Sequence, residues 1–478
     1  MNKRLISAII TNMPLSLIIL LAVASIVRLW LAMLFPITAD ESYYWLWSKH
    51  LSLSYVDHPP MVAYINFLTT FGRENLLALR LGATAITLLV SLLIYYIAKE
   101  AFSERVAFWS ALLFQIIPHF LIIWLTMFVE LPLALFWTAS LLIIIKIVKS
   151  KQSFWWYWLT IILGLGYLSK YTMFLFWPCL LLFLIVSEKN RFWLRRKEPY
   201  VTLIISLLFF APVLYWNSQH QWISFTFHSA KLTSDPFGAH VLSFVADQLV
   251  HFTPFLLFTL YGISKFSLKR DDLSKALFCF SVPILLLFLL LSLKVKIWAH
   301  WPSVGYVGLL PLAIAYLMEN GKGWKKFLTW ISIFTLMVIA ILFWVSPGIM
   351  LSQKNYPKNY KLADLIPPGE KIFARTYVSA SLLEFYTRRQ TYLATGFLKF
   401  GWPWGEKQYE IWGIPNLKRG ENILYYGEDS ETFRKKASAY FEKITDFPEL
   451  HLYLIEDYIT KNYHGFKLEG YKGGAAHP

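Results

Sequence analysis

The feature that most constrains this chain is a series of apolar segments, each long enough to cross a lipid bilayer. A transmembrane helix needs about 20 mainly apolar residues, and eleven such segments recur before residue 346. The sequence therefore predicts a mainly α, polytopic membrane protein with about 11 transmembrane helices. The segments are 15–35, 77–98, 106–124, 131–148, 155–170, 172–187, 201–216, 248–264, 275–293, 303–318 and 326–345.

Composition agrees with a protein that folds in lipid. Hydrophobic residues make up 57% of the 478 residues and charged residues only 15%, whereas soluble domains carry about 25% charged residues. The formal net charge of +16 would suit either nucleic acid or an anionic membrane. The basic residues lie between apolar segments, so the sequence predicts contact with membrane lipid and no nucleic-acid partner.

The placement of the basic residues also predicts the topology. Lysine and arginine follow every even-numbered apolar segment, and such residues favour the cytoplasmic side. The N-terminus is therefore predicted to be cytoplasmic, and the loops after odd-numbered segments lie on the other side. These basic residues include Lys99, Arg105, Lys146, Lys149, Lys151, Lys189, Arg191, Lys265, Lys269, Lys322 and Lys325.

The sequence predicts two domains. Residues 1–345 form the transmembrane domain, including an outer loop at 36–76, and residues 346–478 form an α/β domain on the outer side. Strands are predicted from Lys371 and Asn422, and helices over 379–386 and 431–441, the first with Ser379 as N-cap. The aromatic residues of loop 36–76 predict amphipathic helices on the membrane surface.

Two acidic motifs follow the first apolar segment. Asp40-Glu41 precedes an aromatic cluster that contains Tyr43 and Tyr44, and Asp57-His58 precedes two prolines. Acidic residues where a membrane span meets water are either solvated or part of a site. Asp57 and His58 fit a rigid hydrogen-bonded turn as well as a direct substrate contact.

These motifs resemble those of the GT-C glycosyltransferases that use polyprenyl-phosphate sugars, the protein-mannosyltransferase-like superfamily. The motifs are most similar to those of the bacterial branch that modifies lipid A, which includes the aminoarabinose and galacturonic acid transferases. The resemblance is closest over residues 20–180. It implies an inverting transferase that moves a sugar from a polyprenyl-phosphate donor to lipid A or the lipopolysaccharide core, at the periplasmic face of the inner membrane.

The resemblance also suggests roles for individual acids. It implies that Asp40 is the catalytic carboxylate, with Glu41 beside it. Glu130, the third acid assigned to the catalytic group, stands where members of the family usually carry aspartate before a Pro-Leu helix, and it would contact an acceptor or donor hydroxyl. The alternative for Glu130 is an acid that complements the dipole at a helix N-terminus.

A lipid phosphate leaving group requires cations on the outer side. The predicted binding residues there are Arg80, Lys170, Tyr171, Lys294, Lys296 and His300, together with Tyr43, Tyr44, Asp57 and His58. Arg28 lies within the first span and is expected to need a carboxylate or a lipid headgroup as partner. Loop 217–247 is predicted to form a mobile lid.

Three further points remain open in the sequence. No cofactor is firmly implied, no metal ligands are assigned, and a divalent metal stays an alternative, since related enzymes differ in this respect. A protein O-mannosyltransferase is the alternative enzyme. A secondary transporter is the alternative from another class, and would place its ionisable residues at mid-span; a receptor acting through residues 346–478 would leave Asp40 unexplained.

Overall fold

The computed structural model describes residues 14–34, 36–230, 236–320, 323–345, 362–394, 403–427, 430–454 and 459–473. The chain forms two compact units. The first comprises Met1–Ala32, His58–Met61 and Arg80–Ile339, and the second Met33–Asp57, Val62–Leu79 and Ala340–Pro478. The predicted domain border at 345/346 lies outside the described residues.

Each of the eleven apolar segments contains one or more helices. The helices of the first 345 residues are α1 (Leu15–Leu34), α2 (Ala39–Lys49), α3 (Met61–Thr70), α4 (Leu76–Ala101), α5 (Glu104–Ile116), α6 (Pro118–Ile122), α7 (Glu130–Ser150), α8 (Phe154–Tyr167), α9 (Phe176–Val186), α10 (Glu198–Leu208), α11 (Ala211–Gln219), α12 (Ile223–Ala230), α13 (Val241–Phe252), α14 (Pro254–Phe258), α15 (Leu260–Lys269), α16 (Asp272–Cys279), α17 (Val282–Leu291), α18 (Ser303–Asn320) and α19 (Trp324–Val345). The polytopic α-helical prediction is confirmed.

Several predicted spans are divided into shorter helices. Within the described residues, six helical stretches are long and apolar enough to cross a membrane, or seven if the bent pair α5–α6 is counted as one span. Proline explains the divisions, because it cannot donate the backbone hydrogen bond that continues a helix. It stands at the start of α6, α11, α14 and α17.

Arg28 supports the 67° bend between α5 and α6. Its side chain is 2% exposed. Its Nε donates to Gln115 Oε1 at 2.8 Å, and its Nη1 donates to the carbonyl of Phe120 at 2.5 Å. These partners are an amide and a backbone carbonyl, instead of the expected carboxylate or headgroup. The bend exposes backbone acceptors that an arginine can satisfy inside the bundle.

The second unit contains a five-stranded mixed sheet in the segment predicted to be α/β. Its strands are β1 (Lys371–Ala374), β2 (Thr391–Leu393), β3 (Ile423–Gly427), β4 (Phe441–Leu454) and β5 (Ile459–Tyr471), and its helices α20 (Tyr377–Thr387), α21 (Pro403–Trp412) and α22 (Glu431–Tyr440). The strand order is β2-β1-β3-β5-β4.

The register of the sheet combines parallel and antiparallel pairs. Strand β1 pairs in parallel with β2 and β3, with Ile372 opposite Thr391 and Leu424. Strands β3 and β5, and β5 and β4, are antiparallel. Phe373, Tyr425, Phe433 and Phe466 fill the core between sheet and helix α22. The predicted N-cap of α20 was wrong by three residues: Thr376 is the cap, and Ser379 completes the capping box.

Helix α2 differs from the expected membrane-surface helix. Tyr43, Tyr44, Trp45 and Trp47 are all buried. The Trp45 ring lies 5.0 Å from Phe385 of α20. An aromatic face that is suited to a lipid interface is equally suited to a protein core, and here it packs against protein within the second unit.

Candidate functional site

Glu130 and Lys170 form a buried ion pair in the helical unit. Glu130 is the first residue of α7. This position agrees with the alternative interpretation of Glu130 as an acid that complements the helix dipole. Lys170 follows α8 in an extended conformation (φ −160°, ψ 147°), and its Nζ donates to Glu130 Oε1. The two side chains are 2% and 9% exposed. Glu130 was predicted as a catalytic acid and Lys170 as a substrate-binding cation, each by itself; the structure pairs them.

The backbone around this pair is fixed by neighbouring elements. Arg80 of α4 is fully buried, and its Nη1 donates to the carbonyl of Leu125 at 3.4 Å, just before α7. On the other side, the amide of Met61 donates to the carbonyl of Leu168 at 2.8 Å. Arg80 was predicted as a phosphate-binding cation, and its described contact is to the backbone.

His300 completes this group, which we call the Glu130 cluster (Glu130, Lys170, His300 and Trp301). His300 Nε2 lies 3.4 Å from Glu130 Oε1, and Lys170 Nζ lies 5.7 Å from the Trp301 ring centroid. In the described part of the chain, Glu130 Oε2 has no hydrogen-bond partner. A buried carboxylate oxygen without a partner costs about 1–3 kcal/mol, so Oε2 is an acceptor available for a ligand hydroxyl.

The charge of the Glu130 cluster differs from the expectation. Burial lowers the pKa of His300 to about 4, which outweighs the opposing influence of Glu130. His300 is therefore neutral at pH 7 and donates or accepts as an imidazole. Lys170 is offset by Glu130, so the cluster adds no net positive charge, although Lys170 and His300 were both predicted to bring positive charge to a phosphate.

Lys294 and Lys296 lie in the irregular segment between α17 and α18 and are exposed. Their ammonium groups stand 5.5 Å from the Phe237 ring and 4.2 Å from the Trp298 ring. An ammonium over an aromatic face keeps most of its hydration and its charge. Lys296 also interacts electrostatically with the Asp247 carboxylate. Both lysines are exposed, so each can still attract an anion.

A second polar group near this segment was missed by the sequence analysis. His119 of α6 and His251 of α13 place their Nδ1 atoms 3.4 Å apart. The ring of Tyr306 stacks on Phe252 at 3.6 Å, and its hydroxyl donates to Gln248, whose amide in turn donates to the carbonyl of Ala299. The available signal was a histidine or glutamine inside an apolar segment.

His58 and Tyr171 are brought together by a histidine of the predicted lid. The His228 ring of α12 lies 5.2 Å from Tyr171 and 6.0 Å from His58. Residues 231–235 of the predicted lid lie outside the described residues. His58, next to the two prolines, therefore lies against a helix of loop 217–247.

In the second unit, Asp40 and Glu41 occupy the first turn of α2. Thr38 is the N-cap, and Glu41 forms a capping box with it: the amide of Thr38 donates to Glu41 Oε2 at 3.4 Å, and the Glu41 amide to Thr38 Oγ1 at 3.4 Å. Glu41 is fully buried and Asp40 is half-buried. This gives Glu41 a structural role, and the catalytic role of either acid stays a prediction.

Tyr43 and Asp57, both predicted to bind substrate, are bonded to each other. The Tyr43 hydroxyl donates to Asp57 Oδ2 at 3.1 Å. Burial raises the pKa of Tyr43 well above its usual value, and the Asp57 charge raises it further. Tyr43 therefore keeps its proton for this bond at any physiological pH. Tyr44 packs its ring 5.1 Å from Trp47.

The described residues contain no group of three or more histidine, cysteine, aspartate or glutamate side chains that could hold a metal ion. Cys179 and Cys279 are both buried and unbonded to one another. The chemistry that the described sites offer is carboxylate acceptors, a buried ion pair and exposed ammonium groups.

Comparisons with known proteins identify relatives by sequence. Residues 57–216 match the family described as dolichyl-phosphate-mannose-protein mannosyltransferase. The lipid A galacturonosyltransferase RgtD of Rhizobium johnstonii is 24% identical over 302 residues, which are 61% of this chain and 63% of that protein. The chain thus spans less than two thirds of the length of this curated relative.

Solved structures match over nearly the whole chain. ArnT of Cupriavidus metallidurans in the apo state is 13% identical with a TM-score of 0.71, covering 94% of this chain and 97% of that one. The same protein bound to undecaprenyl phosphate gives 14% identity, a TM-score of 0.68 and the same coverage. The chain therefore has the GT-C fold, a polytopic membrane bundle with a small C-terminal sheet domain.

Proposed function

We propose that this protein is an integral-membrane inverting glycosyltransferase that moves a sugar from a polyprenyl-phosphate donor to lipid A or the lipopolysaccharide core. The observation that carries the proposal is the buried carboxylate of Glu130, with one oxygen on Lys170 and the other available, in the family-matched segment of a GT-C fold. The likeness to a lipid A galacturonosyltransferase supports this acceptor, and galacturonic acid or aminoarabinose is the proposed sugar.

The reaction requires an acceptor, a leaving group and in-line geometry. The acceptor oxygen attacks the anomeric carbon, and the bond from that carbon to the phosphate oxygen breaks, leaving the electron pair on the lipid phosphate. Asp40 takes the proton of an acceptor hydroxyl. If the acceptor is a phosphate it is already ionised, and Asp40 orients it and stabilises positive charge at the anomeric carbon.

The predicted cations take different roles in this proposal. Lys294 and Lys296, which are exposed, attract the donor phosphate. Lys170 forms an ion pair with Glu130, so it positions the Glu130 carboxylate and does not bind the phosphate by itself. Glu130 Oε2 accepts a hydrogen bond from a sugar hydroxyl, and neutral His300 fixes the other oxygen. These groups orient the sugar ring relative to the leaving phosphate.

The polyprenyl chain requires a site open to lipid. Each buried CH₂ group contributes about 0.8 kcal/mol, so a donor with a long tail stays in the bilayer during transfer. We place the site at the periplasmic face of the inner membrane, with the N-terminus cytoplasmic and the C-terminal segment periplasmic. The basic residues after even-numbered segments support this orientation.

Reconstitution tests the proposal directly. The purified protein in liposomes is given undecaprenyl-phosphate galacturonic acid or aminoarabinose together with lipid A, and the products are identified by mass spectrometry. We expect a mass increase of one sugar on lipid A with one of the donors, and none with Asp40→Asn. Transfer to a peptide hydroxyl but not to lipid A would favour the O-mannosyltransferase alternative. No transfer from any polyprenyl-phosphate sugar would refute the proposal.

A further inference from the structure

We infer that the C-terminal helices α20 and α21 hold helix α2 in the orientation that places Asp40 for catalysis, with Glu384 and Ser381 as positioning residues. The inference rests on the proposed function, because it assumes that Asp40 carries out the chemistry. It assigns a task to the C-terminal segment, whose role neither the sequence nor the comparisons indicate. All residues used here belong to the second compact unit.

An ion pair between Lys49 and the buried Glu384 fixes the C-terminal end of α2. Lys49 Nζ lies 2.7 Å from Glu384 Oε1 and 3.7 Å from Glu74 Oε1. The Glu384 side chain is only 3% exposed, and its Oε2 accepts a hydrogen bond from the Thr391 amide at 3.1 Å. The backbone amide of strand β2 thus fixes the Glu384 carboxylate. The fixed carboxylate in turn determines where the Lys49 ammonium group lies.

The middle of α2 is fixed by an aromatic packing contact and by a hydrogen bond between two serine hydroxyls. The hydroxyls of Ser42 and Ser381 are 2.8 Å apart and buried, and Trp45 meets Phe385 edge to face. At 100° per residue, positions 42, 45 and 49 lie about 140° to 200° around the helix from Asp40. Helix α20 therefore packs on the face of α2 opposite Asp40.

Helix α21 fixes the chain that follows α2. The amide of Val56 donates to Gln408 Oε1 at 2.9 Å. The rings of His50 and Trp412 stack at 4.8 Å. Asp57 comes directly after Val56 and binds Tyr43 of α2, so the C-terminal segment secures both ends of this turn.

These contacts matter because catalysis depends on small distances. A displacement of about 1 Å at a reacting group costs about 100-fold in rate. The bonds from Trp45 Nε1 to the Arg73 carbonyl and from the Tyr55 hydroxyl to the Trp47 carbonyl also hold α2. The C-terminal segment adds the buried Ser42–Ser381 pair, and buried polar pairs with defined geometry specify one orientation. The C-terminal segment then influences turnover without touching the substrate.

A disulfide between α2 and α20 tests the contact independently of activity. Ser42→Cys with Ser381→Cys places two thiols at a separation that a disulfide can bridge, and the native Cys179 and Cys279 are buried in the other unit. We expect mass spectrometry to find the linked peptides after mild oxidation, with transfer activity within about twofold of the reduced form. A linkage that abolishes activity reversibly would show that the segment must move, and absence of linkage would show that the contact does not persist; either overturns the inference.

The ion pair is tested by a matched pair of glutamate variants. Glu384→Gln should lower kcat about 10- to 100-fold with little change in the KM of either substrate. Glu421→Gln is the control, because Glu421 makes a 2.7 Å ion pair with Lys371 in the same segment and away from α2. Equal effects of both variants, or a change in KM alone, would overturn the positioning role. An inactive wild-type protein would instead refute the proposed function, while the disulfide result would still report on the contact.

Discussion

Lys170 and Glu130 are 40 positions apart in sequence and form a buried hydrogen-bonded ion pair at the start of helix α7. Removing one member of such a pair leaves the other charge buried and costs about 3–5 kcal/mol. Removing both costs much less. This relationship separates Lys170 from the other predicted cations and leads to a direct comparison between lysines.

We predict that Lys170→Met lowers the unfolding temperature strongly, because it leaves the Glu130 carboxylate uncompensated. The double variant with Glu130→Gln should recover much of that stability without recovering activity. Lys296→Met is the control: Lys296 is exposed, so its loss should leave stability nearly unchanged and raise only the KM for the polyprenyl donor. Thermal unfolding in detergent measures the stability of these variants, and initial rates measure their activity. Equal unfolding temperatures for the two single lysine variants would contradict the prediction.

Asp40→Asn is expected to abolish transfer while expression and donor binding persist. The reason is that an amide cannot accept the acceptor proton or stabilise a cationic centre as a carboxylate does. Initial rates in reconstituted liposomes measure the effect. A loss of only about tenfold, or 1.4 kcal/mol, would be too small for an essential carboxylate and would assign that role elsewhere.

Glu41→Gln distinguishes a cap from a catalytic charge at the neighbouring position. Glutamine at this position of a capping box can still accept the hydrogen bond that Glu41 takes from the Thr38 amide. We therefore expect nearly wild-type stability and activity within about threefold. A rate loss as large as that of Asp40→Asn would show that the charge of Glu41 is required for the reaction.

The stability of the protein should depend on His300 at acidic pH. The pKa of His300 in the folded protein is lowered to about 4 by burial, against about 6.5 in the unfolded chain. The folded state therefore favours the neutral ring: its contribution is fully present above pH 6.5 and is lost as the pH falls toward 4, by a few kcal/mol.

Scanning fluorimetry between pH 4 and 8 measures that dependence. His300→Gln keeps a donor and an acceptor but cannot be protonated in this range, so its unfolding temperature should fall less than that of the wild type below pH 6.5. Parallel curves for the two proteins would show that His300 does not contribute to the acid sensitivity.

The apolar segments and the strands at 371 and 423 were predictable because each depends on local periodicity. The pairing of Glu130 with Lys170 was not, because it depends on how α7 and the turn after α8 pack. The aromatic face of α2 was assigned to the membrane surface for a related reason. Apolar surface on a helix does not reveal whether lipid or protein covers it, and Trp45 is covered by Phe385. Short-range signals therefore predicted the elements, and tertiary packing determined their partners.

The contact between Lys49 and Glu384 joins residues separated by 335 positions, and this separation affects how the protein is made. At about 5–20 residues per second, a ribosome needs roughly 20 to 70 s to synthesise the chain between them. During that time the aromatic face of α2 lacks its C-terminal partner, and exposed apolar surface is what chaperones bind and proteases attack. Truncation after residue 345 should therefore shorten the cellular lifetime of the protein, even though every apolar segment is retained.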